Sequence, residues 1–226
     1  MKWLSIFTLF ILLTSKTFAQ ENGDQWPAIP GMDENGFAVK STGTFLGVFG
    51  AAVISYGLGE LFGKDEKLHF YQFRAGAWGT TSGTVLMENF GVERRVTPWF
   101  GISAEVVNQQ YFSEGYGGAG MGFSGYYRWY LFGRKRLSPF MEHGTGVFWG
   151  FNKFPQDGSN FTFHLTSSLG LEYTMKNENK IRATYGHIHQ SNNDLRPVNP
   201  GMDGNGFSVT YLWSWKKGKQ RRSPLE

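Results

Sequence analysis

Apolar and polar side chains alternate along much of this chain, most plainly over residues 161–175. Phe161, Phe163, Leu165, Leu169, Leu171, Tyr173 and Met175 fall on one parity, and Thr162, His164, Thr166, Ser168 and Glu172 on the other. A period of two is that of a β-strand with one apolar and one polar face. Eight β-like runs follow one another from Leu68, at about 68–79, 84–96, 98–110, 119–132, 138–151, 161–175, 180–191 and 204–216. Each has the ~9–11 residues that a tilted strand needs to cross a bilayer. The pattern predicts an all-β fold: an eight-stranded antiparallel transmembrane β-barrel over 67–216, apolar towards lipid and polar towards the lumen. A soluble β-sandwich alternates too and is the structural rival. The even strand count and the aromatic residues near strand ends favour the barrel.

The links between runs set the orientation. Those after strands two, four and six are short: Thr97-Pro98, 133–137 and 176–179. Those after strands three, five and seven (113–118, 152–160 and 192–203) are mostly longer and richer in Gly, Pro and Asn, while the first, 80–83, is short and departs from the trend. Outer-membrane barrels have short periplasmic turns and longer external loops. Strand seven is therefore expected to end at the cell exterior, with His189 and Ser191 at the height of the outer leaflet.

The chain ends add a destination. Lys2, the apolar stretch 3–13 and Thr17-Phe18-Ala19 read as an export signal over 1–19, too short an apolar run to span a membrane. The expected organisation is this signal, an N-terminal extension over 20–66, the barrel over 67–216 and a basic tail over 217–226, in the cell outer membrane. Residues 44–63 are nearly all apolar or glycine, which suits either a helix packed on or plugging the barrel or an additional strand region. The absence of cysteine excludes disulfides and thiolate metal sites. The 31 glycines and 17% aromatic content exceed ordinary soluble usage and suit tight strand packing and aromatic girdles. The net charge of +4 owes much to the run Lys216-Lys217-Gly218-Lys219-Gln220-Arg221-Arg222, either a solvated periplasmic end or a contact with anionic lipid. No nucleic-acid module is recognisable, and the glycine-rich stretch 115–122 lacks the strand–loop–helix context of a phosphate-binding loop.

The candidate chemistry lies near the end of the barrel, where His189-Gln190-Ser191-Asn192 is followed by Asp203. A serine hydroxyl becomes a good nucleophile when an imidazole takes its proton, and the imidazole needs a third group to fix its tautomer. Residues two apart in a strand share a face at ~6.6 Å, and the neighbouring strand lies ~4.8 Å away, so the spacing suits a base, a nucleophile and an acid. Parity puts His187, His189 and Ser191 with Ile181, Ala183 and Tyr185, and puts Asp203 and Asn205 with Phe207, Val209, Tyr211, Trp213 and Trp215. All three candidates thus point towards lipid, where polar groups are costly. A lipid substrate would account for them.

These residues resemble the outer-membrane lipid A 3-O-deacylases (PagL-type, grouped with acyloxyacyl hydrolase-like proteins), eight-stranded barrels with a His-x-Ser-Asn motif near the end and a downstream acid. The similarity covers roughly 67–216, and its specific part is the last thirty residues or so. It implies His189 as general base, Ser191 as nucleophile and Asp203 as the carboxylate orienting His189. It also implies Asn192 in oxyanion stabilisation, where one well-placed donor is worth ~3–4 kcal/mol of barrier, with Asn193 beside it. There are two departures: Asp203 stands where the best-known members carry glutamate, and Asn193 where a small residue is expected. The implied reaction is serine-esterase hydrolysis of an ester-linked acyl chain, at the 3-O position, from lipid A of lipopolysaccharide. It requires no metal or organic cofactor, and its partners are that substrate and the surrounding outer-membrane lipid.

Other candidates have plainer readings. His187 reads as a structural histidine at the membrane interface. Glu142 and His143 are adjacent in a strand, so they face opposite sides, and no serine lies at suitable spacing in sequence. Glu88, Glu93, Arg94, Arg95, Glu105, Arg128 and Glu172 are read as including the ion pairs of the lumen, and Arg196 and Lys153 as loop charges, solvated or touching lipid A phosphates. Pro30-Gly31-Met32-Asp33-Glu34-Asn35-Gly36-Phe37 nearly repeats Pro200-Gly201-Met202-Asp203-Gly204-Asn205-Gly206-Phe207, which shared turn chemistry explains in part. The alternative to an esterase is a non-catalytic structural or adhesive barrel. A small-ligand transporter ranks last, because side chains fill the interior of eight strands.

Overall fold

A computed structural model describes residues 68–133, 135–154, 158–192 and 201–214. The proposed export signal, the 20–66 extension, Asn193, Arg196, the first copy of the repeat, Trp215 and the basic tail lie outside the described residues. The eight strands are β1 (Leu68–Thr80), β2 (Gly83–Thr97), β3 (Phe100–Ser113), β4 (Tyr116–Tyr130), β5 (Leu137–Phe154), β6 (Ser159–Thr174), β7 (Lys180–Ser191) and β8 (Met202–Ser214). Each pairs antiparallel with its sequence neighbours, and β8 pairs with β1 to close the barrel. Closure removes the unpaired strand edges that a bilayer cannot solvate.

Three expectations are corrected. The link read as a loop over 113–118 is a two-residue turn at 114–115, because Gly115 takes φ +72° and lets β3 pair on to Ser113↔Tyr116. The link read over 152–160 is shorter, since β5 runs on to Phe154 and β6 begins at Ser159, which puts Lys153 in a strand and not in a loop. The contrast in link length at the two rims therefore rests mainly on the stretch between β7 and β8. Glu88 and Arg94 are not lumen charges: strand parity turns them outwards, where the Asn108 amide reaches Glu88 at 3.4 Å.

The outside is apolar. Phe90, Phe123, Leu169, Tyr185, Phe207 and Val209 are each more than half exposed, in a band around the barrel. A soluble domain would bury such a band, whereas a membrane barrel turns it to lipid.

The inside is filled at two levels. Towards the rim that carries the barrel's two ends, Glu93 accepts from Arg128 at 2.7 Å and from Arg182 at 2.6 Å. Glu172 accepts from Arg95 at 2.6 Å and Lys180 at 2.5 Å, and Glu142 pairs with Arg74 at 2.7 Å and with Arg128. Towards the opposite rim the filling is apolar: Trp78, Val85, Met87, Val107, Tyr111, Phe148, Ile188 and Met202 form one cluster. Inward glycines make room for the rings. A Cβ on Gly206 would lie 2.6 Å from the Trp78 ring at Cγ, and one on Gly120 2.5 Å from the Phe148 ring. The glycine and aromatic counts are thus two sides of one packing solution for a narrow cylinder.

Candidate active site

The upper part of β7 is held from both faces. Inside, Ile188 belongs to the apolar cluster, and the Gln190 amide donates to Gln109 at 3.0 Å and Thr162 at 3.1 Å. With Ile188 and Gln190 pointing in, alternation turns His187, His189 and Ser191 out. On β8, Met202 packs in the cluster, so Asp203 faces out as well. The Asp203 backbone carbonyl accepts the Thr81 N–H at 2.9 Å, which ties the start of β8 to the β1–β2 turn.

Register brings the groups together, because His189 and Asp203 are direct cross-strand partners. His189 Nδ1 lies 2.9 Å from Asp203 Oδ1, and His189 Nε2 lies 3.2 Å from Ser191 Oγ. The carboxylate can only accept, so Nδ1 carries a proton, and in the neutral ring Nε2 then keeps its lone pair towards the serine hydroxyl. That tautomer can take the Ser191 proton. The shorter acid reaches because it stands directly opposite the histidine, so the extra methylene of a glutamate is not needed.

Lower on β7, Ile181 and Tyr185 are exposed on this same face, but His189 is 5% exposed and Ser191 7%. Across the register they meet Leu165 and Phe163 of β6. The His189–Ser191 pair is thus enclosed by apolar neighbours, while Asp203 retains 36% side-chain exposure. Asn192 follows Ser191 at the strand end and is buried.

Two further serine–histidine pairs show what distinguishes this one. Ser124 Oγ lies 2.9 Å from His164 Nε2, but inside the lumen, out of reach of any lipid. His143 Nδ1 lies 2.9 Å from Ser167 Oγ on the outer wall, a contact that the reading of spacing alone missed because it depends on the β5–β6 register. Among the described residues, His143 Nε2 has no hydrogen-bond partner, and Glu142 is turned inside against Arg74 and Arg128. Of these three pairs, that of Ser191 alone carries a carboxylate among the described residues. His187, read as structural, lies with its Nε2 3.2 Å from the same Asp203 oxygen. The alternation His187-x-His189-x-Ser191, set against Asp203-x-Asn205, was the available signal.

A family sequence model described as lipid A 3-O-deacylase (PagL) matches residues 80–212. A search of curated proteins gives no match. Among solved structures, that of the outer membrane enzyme PagL is similar at TM-score 0.51 and 19% identity, covering 62% of this chain and 97% of that one. Neisserial surface protein A is similar at TM-score 0.49 and 8% identity, covering 64% and 96%. The N-terminal β-barrel domain of Pseudomonas aeruginosa OprF is similar at 0.43 and 13%, covering 66% and 100%.

Proposed function

This chain belongs to the lipid A 3-O-deacylase (PagL) family, and on that premise we propose that it is a serine esterase cutting an ester-linked acyl chain, the 3-O chain, from lipid A. It is an outer-membrane protein. The observation that carries the proposal is the hydrogen-bonded series Asp203–His189–Ser191 on the outer wall of the barrel. The rim bearing it, opposite the two barrel ends, is the external one in this reading, which also takes residues 1–19 as an export signal.

The chemistry follows from the tautomer. Ser191 Oγ attacks the acyl carbonyl while His189 Nε2 accepts the hydroxyl proton, and Asp203 stabilises the imidazolium. Asn192 is proposed to donate to the oxyanion, with Asn193 beside it. The tetrahedral adduct expels the sugar hydroxyl, which takes the proton from His189, leaving an acyl-Ser191 ester. Water, deprotonated by His189, hydrolyses that ester and releases a free fatty acid. Ion pairs and packed rings fill the lumen, so access is from the side, through lipid. Lipid A mass spectrometry of cells expressing wild type or Ser191→Ala tests the reading: wild type should shift the population by one acyl chain and the variant should not. The same acylation pattern in both would end it.

A further inference from the structure

The catalytic series does not stop at the acid. Two residues of β7 and two of β8 form a lattice on the outer wall, with His189 directly opposite Asp203 and His187 directly opposite Asn205. One diagonal of that lattice is also bonded. Asp203 Oδ1 is shared by His189 Nδ1 at 2.9 Å and His187 Nε2 at 3.2 Å, while His187 Nδ1 faces Asn205 Oδ1 at 3.3 Å.

From this lattice we infer that His187 is a positioning residue for the proposed deacylation, acting on Asp203 and through it on His189. The inference rests on the triad reading above. The direction of the bond is fixed by chemistry: a carboxylate only accepts, so His187 Nε2 is the donor. Asn205 leaves that conclusion intact whichever way its amide is turned. If its oxygen faces Nδ1, both ring nitrogens donate and His187 is an imidazolium. If its nitrogen does, Nδ1 accepts and the neutral ring still donates from Nε2.

The acid needs such a partner. Asp203 is more than a third exposed at the start of its strand, where a carboxylate held by a single hydrogen bond can rotate away from His189. A second donor on the same oxygen holds Oδ1 in the plane that His189 Nδ1 requires. Asn205 in turn fixes the His187 ring. Parity and register supply the rest, since residues two apart on adjacent paired strands meet both straight across and on the diagonal.

The test is steady-state deacylation of purified lipid A by the full chain in detergent micelles, each variant's folding checked by the faster gel migration of an unheated barrel. His187→Ala should lower kcat about tenfold, equivalent to about 1.4 kcal/mol, with KM unchanged. His187→Gln, whose amide can still donate to Oδ1, should recover most of the loss. In an Asp203→Asn background His187→Ala should cost nothing more, because a residue acting only through the acid has no separate effect. A wild-type kcat in His187→Ala would overturn the inference while leaving the deacylase reading in place, provided Ser191→Ala is inactive. A tenfold loss that persists in the Asp203→Asn background would overturn it too, and activity surviving in Ser191→Ala would overturn both. Should His187→Ala fail to fold, His187→Leu, which also lacks a donor, takes its place: a kcat about tenfold below that of His187→Gln supports the inference, and an equal kcat in the two variants overturns it.

Discussion

Replacing Asp203 by Asn removes a charge and little else. The amide oxygen can still accept the His189 Nδ1 proton over the present 2.9 Å, so the ground state keeps its shape. In the proposed reaction the difference arises when the Ser191 proton reaches His189, because the imidazolium then lacks its counter-charge. Opposite unit charges ~4 Å apart are worth about 4 kcal/mol at an effective dielectric of 20 and about 1 kcal/mol in water. His189 is nearly enclosed, at 6% side-chain exposure, whereas Asp203, at 36%, stands at the start of β8 on the rim, where headgroups and water screen it, so the pair belongs between these limits, at about 2–3 kcal/mol. That converts to a fall in kcat of about 10²-fold, less than the ~10⁴ measured for the equivalent change in an enclosed serine-protease triad. The assay is fatty-acid release from lipid A in micelles, with Ser191→Ala as the zero. A kcat for Asp203→Asn within about threefold of wild type would refute the role given to the acid.

Two further predictions concern the barrel. Glu93→Gln leaves Arg128 and Arg182 short of the carboxylate they share. Breaking a buried pair costs ~3–5 kcal/mol, so the temperature at which the unheated folded band disappears should drop clearly, with deacylation at low temperature retained. An unchanged transition would mean that the lumen network contributes nothing to stability. Leu169→Arg places a charge on a residue that is 65% exposed midway along β6. It should destabilise the barrel by about 2–4 kcal/mol in a bilayer, read as poorer folding into vesicles than into detergent. Equal folding in both would argue against lipid contact there.

The strands and their faces were legible because a pleated strand has a period of two, and a barrel with a filled lumen enforces it on both sides. Strand β7 is read to its ends, Lys180 and Ser191, and Arg182, Thr184 and Gln190 are inside as parity requires. Turn geometry was less legible: one residue at positive φ, Gly115, converts an apparent loop into a tight hairpin.

Which side chains meet across strands is a matter of register, and register comes from closing the cylinder as a whole. An alternating eight-stranded barrel and a His-x-Ser pair on one face of its seventh strand can be read from the amino-acid order, since both are local properties of an extended chain. That Asp203 stands opposite His189 and that His187 shares its carboxylate follows from the way the folded strands pair. So does the meeting of Ser167 with His143 without an acid. One residue of slip between strands would break each of these contacts and leave every local pattern unchanged.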